Sequence, residues 1–199
     1  MTVVPGAPTA PHELRFDAGR VCLDLLATAH PAERLGSADA LRAWVDGSGL
    51  VPPGTALVHL DAGWVAAFRE LRLVVGALVD DHLAARPVHD IALARLNDLA
   101  RTSPPAPNAV RDADGRLVRA LDGRPECAAL LGAVARDAVE LLTDPLALAA
   151  LRRCAGDNCP LVYVDASRGR RRRWCSSEVC GNRERVARHR RRAAAPART

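Results

Sequence analysis

The sequence predicts a mainly α chain with small antiparallel β hairpins, in two parts: a helical N-terminal domain over residues 1–145 and a compact, cysteine-rich unit over residues 146–195. Three observations predict it. Positions Val65, Phe68, Leu71, Val75, Leu78 and His82 step by three and four, the spacing of one helix face. Prolines and glycines cut the first part into segments of helical length, with one alternating stretch between them. Four of the six cysteines fall within 27 residues near the C-terminal end. With 199 residues and 49% hydrophobic side chains, the chain can bury a sizeable core.

Taken in order, residues 13–30, "ELRFDAGRVCLDLLATAH", set apolar residues around an Asp-Ala-Gly turn signal and read as a short hairpin or a strand running into a helix. Ser37 caps a helix carrying Leu41, Trp44 and Val45, with Gly47 and Gly49 as stop signals. Pro52-Pro53 breaks the chain before the long amphipathic helix of residues 61–85, the expected spine of the N-terminal domain. A third helix, "DIALARLNDLAR", follows Pro87 and ends at "SPPAPN"; "AVRDADGRLVRAL" then alternates around Asp114-Gly115 as a hairpin does. A fourth helix runs from about Pro125 to Leu142. Thr143 or Asp144 caps a short helix with Pro145 at its first position, which leads into the cysteine-rich unit.

Trp44, Trp64, Phe68 and the Leu/Val stripe read as core, and Cys22 and Cys127 as buried small hydrophobes. His12, His30, His59, His82 and His89 form no spaced set, and Asp17 and Asp24 read as capping or turn chemistry. No catalytic residue is assigned, and the chain is expected not to be an enzyme. The first ten residues, "MTVVPGAPTA", lack a basic start followed by an apolar run, and no stretch approaches a membrane span. A cytoplasmic protein with no membrane partner is expected.

Charge divides unevenly. Residues 1–150 hold 14 Arg against 19 acidic residues, net −5, whereas residues 151–199 hold 14 Arg against 4, net +10. The chain has no Lys, so every basic side chain is the planar fork that suits phosphate oxygens and guanine edges.

Cys154 and Cys159 in "CAGDNC" and Cys175 and Cys180 in "CSSEVC" are each separated by four residues, with fifteen between the pairs. Zinc takes four ligands at tetrahedral corners, each pair supplying one edge, and "LVYVDASRGRRRRWC" fits a hairpin joining the edges. In that reading Val162 and Val164 lie on one strand, the turn falls at residues 167–169, and Trp174 is on the return. Two disulfides and a catalytic thiol pair are the alternatives. A reducing compartment argues against the first, and the absence of two-residue spacing beside a βαβ pattern against the second. The expected cofactor is one zinc ion, which should supply most of the unit's folding free energy, roughly 10–16 kcal/mol. Its removal should melt the tail and leave the N-terminal domain folded.

Ser176 or Ser177 caps a last helix, so knuckle, hairpin and ligand-bearing helix describe a treble-clef-like four-cysteine zinc finger. Projection at 100° per residue puts Val179, Cys180, Val186 and Ala187 toward the metal and Arg185, Arg188 and Arg192 outward. Arg168 and residues Arg170, Arg171, Arg172 and Arg173 form a second basic wall on the hairpin. Arg183 projects near the buried side, where hydrogen bonds to a carbonyl or to the Asp157 or Asp165 region are as well supported as a base contact. Asn182 and Trp174 are assigned with it to support of the zinc site.

"WCSSEVCGNRERVARHRRR", with its literal Cys180-Gly181-Asn182-Arg183, resembles the CGNR zinc finger, and "RRCAGDNCPLVYVDASRGRRRRWC" matches the finger's first half. The preceding 145 or so residues, with "FDAGRVCLDLLATAH", resemble the ABATE domain, although Ala27-Thr28 stands where such proteins commonly read Asn-Thr. The resemblance implies a bacterial, actinobacterial, stress-induced transcription regulator.

The expected function is a regulator that binds double-stranded DNA through the finger, while the N-terminal domain senses a small-molecule effector or forms a homodimer; such a protein would associate with the nucleoid. The alternative is a zinc-stabilised interaction module whose basic tail meets an acidic protein. A nuclease on this scaffold would need a histidine on the hairpin, which has none, and His189 stands alone among arginines.

Overall fold

The computed structural model describes residues 14–194, and within the last helix the side chains of residues 192–194 fall outside the description. The reading of the first ten residues and His12 lie outside it as well. The helices are α1 (Val21–Ala27), α2 (Ala38–Gly47), α3 (Ala62–Leu83), α4 (Asp90–Ala100), α5 (Cys127–Thr143), α6 (Pro145–Ala150) and α7 (Asn182–Ala194). Hairpin β1–β2 (Pro107–Arg111, Leu117–Leu121) and hairpin β3–β4 (Leu151–Arg153, Val162–Val164) are both antiparallel.

Capping chemistry explains most boundaries. Ser37 accepts from the Ala40 N–H, Asp61 from Trp64, and Asp144 from Leu146 with Pro145 at the first helical position. Helix α1 differs: its N-cap, Arg20, offers no side-chain bond. The carboxylate of Asp137 on α5 instead accepts the Cys22 N–H at 2.9 Å, and Asp24 accepts the Ala18 N–H at 3.0 Å. Asp24 thus makes a local turn bond, as its sequence context suggests, whereas Asp17 pairs with Arg15. No strand forms at residues 14–17, contrary to the hairpin reading, because this segment meets β4 through a single backbone bond, Val164 N–H to the Ala18 carbonyl at 2.8 Å.

The core lies among α1, α2, α3 and α5. Trp44 and Phe68 are fully buried and meet edge to face, with ring centroids 5.7 Å apart. Leu71, Val75 and Leu78 continue the α3 stripe, but His82 at its end is exposed, and the buried residue of that turn is Asp81, held by Arg86 and the His89 N–H. Trp64 and Cys127 are only half-buried. Arg72 is buried and donates to Thr28 Oγ1 at 2.9 Å and to both carboxylate oxygens of Glu33, which holds the Glu33 carboxyl down at about 2. Thr28, in the variant Ala27-Thr28 pair, thus supports the buried Arg72 end of this ion pair.

Helices α4 and α5 approach so closely that a Cβ on Gly132 would sit 2.4 Å from the Thr102 carbonyl oxygen. Gly132→Ala should destabilise the protein by about 1–3 kcal/mol despite a helix-propensity gain of about 1 kcal/mol, because backbone must move. Gly47→Ala meets only the ring of Phe16, which is partly exposed and can swing aside, so it should be near neutral. Urea unfolding of the two variants checks the contrast.

Burial pushes the Asp24 carboxyl up to about 7, with Asp17 and Asp137 adding repulsion against the Ala18 N–H bond and Arg15. The native state therefore holds a proton that the unfolded chain releases near pH 4, so this group's effect is to lower stability as pH rises from about 4 to about 7. Asp24→Asn should gain on the parent protein across that window, by up to about 4 kcal/mol, in denaturant titrations at each pH.

Candidate metal centre and basic surface

Strand β3 ends at Arg153, and Cys154 follows with its N–H bound to the Leu161 carbonyl at 2.9 Å. A turn with Asn158 in the left-handed region (φ 58°) returns the chain through Cys159 to β4. The hairpin is thus closed around the first cysteine pair, not between the two pairs. The sequence places a turn at residues 167–169 and a return strand through Trp174, but side chains tie residues 165–173 as a loop. Asp165 accepts the Ser167 N–H and hydroxyl and the Arg172 N–H, and Tyr163 donates to the Arg172 carbonyl at 2.6 Å. One backbone bond, Ala155 N–H to the Arg173 carbonyl, closes it against the knuckle.

The four cysteine sulfurs lie within 4.8 Å of one another, the one such group able to hold a metal among the described residues. Cys175 Sγ is 3.7 Å from Cys159 Sγ and 3.6 Å from Cys180 Sγ. Four thiolates about 2.3 Å from a tetrahedral zinc ion stand about 3.8 Å apart, so the donor set fits one zinc ion. All six cysteines are free thiols, and sulfurs at these separations are not bonded to each other.

The outer shell is unevenly distributed. Cys154 Sγ accepts the N–H groups of Gly156 and Cys175, at 3.4 and 3.3 Å. Arg15 Nη1 donates to Cys175 Sγ at 3.1 Å and Nη2 to the Cys175 carbonyl at 3.2 Å, while Asp17 holds the guanidinium. Such donors orient ligands and tune the metal. Sequence reading missed Arg15, which lies 160 residues from its partner and carries no local pattern that marks it. Without metal, burial pushes the Cys175 thiol up to about 11 against the pull of Arg15, so metal binding displaces a proton there.

Arg172, read as part of a basic wall, is instead half-buried within the finger. Its Nε donates to the Trp174 carbonyl at 2.8 Å, Nη2 donates to the Cys175 carbonyl, and its Cζ lies 4.5 Å from the Tyr163 ring centroid. Trp174 packs on Gly181, with the Arg173 guanidinium 5.3 Å from its ring.

The start of the last helix corrects the projected faces. Residues Ser177–Gly181 wind as a π-helical turn, with the Gly181 N–H on the Ser176 carbonyl at 2.9 Å and Ser176 Oγ capping Glu178 and Val179. The wider turn rotates everything after it relative to an ideal α-helix. Val179 and Val186, expected inward, are exposed, whereas Cys180 and Gly181 are buried and Glu184 and Ala187 half-buried. Asn182 and Arg183 are exposed too, and among the described residues neither side chain makes a hydrogen bond. Arg168, Arg170, Arg171, Arg173, Arg185 and Arg188 are exposed; the side chain of Arg192 lies outside the described residues. His189 is exposed on α7.

A family model described as "Putative stress-induced transcription regulator", ABATE, matches residues 19–145. The chain belongs to the ABATE family. The CGNR zinc finger model matches residues 150–193 of this ABATE protein, the span that contains all four sulfurs. Both families are regulatory or zinc-binding rather than enzymatic, consistent with a regulator that holds one zinc ion. A comparison with curated proteins finds no match. No helix among the described residues is long and apolar enough to cross a membrane.

Proposed function

We propose that this ABATE protein regulates transcription by binding double-stranded DNA through residues 146–195, with residues 1–145 acting as the sensing or dimerising part, in the cytoplasm at the nucleoid. What supports this is the density of exposed arginines without an ion pair in the finger, where only Arg153 and Arg191 are paired among the described residues. In the N-terminal part Arg20, Arg69, Arg72, Arg86, Arg95 and Arg101 each lie within ion-pair distance of a carboxylate. In the finger, Arg168, Arg170, Arg171, Arg173, Arg185 and Arg188 are exposed with no ion pair among the described residues. Arg183 joins them, since its side chain is also exposed and unpaired there. Unpaired, exposed guanidinium groups are what a phosphate backbone recruits.

A cavity of about 340 Å³ between α3 and the β3–β4 hairpin, lined by Leu26, Gly76, Ala77 and Leu161 with the Asp80–Arg153 ion pair at its edge, supports effector sensing.

Duplex titrations of the zinc-loaded chain test the DNA reading. If six of these seven arginines neutralise phosphates, affinity should fall by about a thousandfold between 50 and 200 mM salt, with a log–log slope near −5. Absence of affinity or of a slope would overturn it, and pull-downs that survive nuclease treatment would then favour an acidic protein partner.

A further inference from the structure

The four zinc ligands are not equivalent. Cys154, Cys175 and Cys180 are buried, at 8%, 2% and 4% exposure, whereas Cys159 is half-exposed. Cys154 is shielded by two N–H groups and Cys175 by Arg15, whereas among the described residues no N–H donates to Cys159 or Cys180, and of these two Cys180 is buried. Hydrogen bonds to a zinc-bound thiolate withdraw charge from sulfur, so of the two ligands that keep their charge Cys159 is the one open to solvent.

A cavity of about 140 Å³ between the N-terminal part and the finger is lined by Cys159 and Cys180, of which Cys159 is the more exposed. Its walls carry Arg15, Arg34, Arg183 and His30 and no carboxylate. The volume admits a molecule a few times the size of water, and cationic walls stabilise an anion leaving from it. Cys175 Sγ lies 3.7 Å from Cys159 Sγ, within reach of a second step.

We propose that Cys159 is an oxidation site at which a hydroperoxide converts the zinc finger to a Cys159–Cys175 disulfide and releases the metal. In the first step the Cys159 thiolate attacks the terminal peroxide oxygen. An S–O bond forms, the O–O bond breaks, and the departing oxygen leaves as hydroxide toward the arginine-lined wall. In the second step the Cys175 thiolate attacks the sulfenic sulfur, forming the S–S bond and expelling hydroxide. With hydrogen peroxide, two thiolates, one peroxide and two protons give one disulfide and two waters; sulfur loses the two electrons that peroxide gains. Two of four ligands are then lost to the metal, and a finger that depends on it unfolds. The remaining cysteines serve as internal references: Cys22 is fully buried, and burial pushes the half-buried Cys127 up to about 11, leaving it a neutral thiol.

The zinc-loaded full chain, treated with a few equivalents of hydrogen peroxide, provides the test. A chromophoric chelator reads zinc release, and dimedone trapping with peptide mass spectrometry locates the sulfenic acid. The expected result is adducts at Cys159 at least about tenfold above Cys154 and Cys127, a Cys159–Cys175 disulfide when dimedone is omitted, and one zinc released per disulfide. Cys159→His keeps a zinc donor at the site and should slow peroxide-driven release by about tenfold or more. Adducts appearing first at Cys180 or Cys154, equal labelling of all four ligands, or zinc loss without Cys159 modification would each overturn the assignment. The dimedone map of the parent protein decides it even if the histidine variant does not fold.

Discussion

Chelation of zinc, or Cys175→Ala, is expected to unfold β3, β4, the loop of residues 165–173 and α7, while α3 and α5 keep their structure. The finger buries few large side chains, chiefly Leu151, Leu161, Val162 and Tyr163, so the metal's roughly 10–16 kcal/mol is the main term holding it. The boundary of the effect does not fall at residue 145, however. Val164 is bonded to Ala18, Arg15 is bonded to Cys175, and Arg153 pairs with Asp80 of α3 at 2.7 Å. Arg15 and the Ala18 carbonyl therefore lose these partners when the finger melts, and the N-terminal part should lose stability although it remains folded. Hydrogen exchange with and without chelator measures this. Protection at the amides of Cys154, Asp165 and Gly181 should collapse, that of Val164 with them, and that of Leu71 and Val75 should persist. Equal loss in α3 would mean that the two parts unfold as one cooperative unit.

Arg172→Ala and the Arg185→Ala, Arg188→Ala pair should fail in different ways. Removing Arg172 strips hydrogen bonds from the Trp174 and Cys175 carbonyls and the cation over Tyr163, next to a zinc ligand. Zinc affinity should drop about 10–100-fold, with DNA binding lost as a consequence. The α7 pair touches no zinc ligand: Arg185 reaches only the Ser177 carbonyl, at 3.4 Å. Zinc affinity should stay at the parent value while the salt slope of DNA binding becomes shallower by about 2, one for each phosphate no longer neutralised. Competition with a zinc chelator and duplex titration over salt, run on both proteins, separate the two roles. A loss of zinc affinity in the α7 pair would show that this helix face supports the fold.

Local patterns carry the elements that form locally. Ser37, Asp61 and Asp144 mark helix starts because a cap is a bond between near neighbours, and Asp114-Gly115 marks its hairpin for the same reason. The stripe Val65, Phe68, Leu71, Val75 and Leu78 faces the core as its spacing predicts. Where a boundary depends on a distant group, the pattern fails. Helix α1 is capped from α5 by Asp137, and nothing near residue 22 announces it. The return strand of the finger was misread because alternation at Val162 and Val164 is real, yet their partner is Leu151–Arg153 upstream.

The sequence by itself determined the two-part architecture, the four cysteine ligands and the concentration of positive charge in the last fifty residues, because spacing, ligand chemistry and net charge are properties of the chain. Tertiary structure decided which arginines face water and which hold the metal site together. The π-helical turn at Ser177–Gly181 leaves its own Val179 exposed and rotates Val186 and Arg183 away from their projected faces, since one wider turn shifts every later side chain around the axis. Folding brought Arg15 onto Cys175 and left Cys159 the most exposed of the four ligands, and that asymmetry arises only when segments far apart in the chain pack against one metal centre.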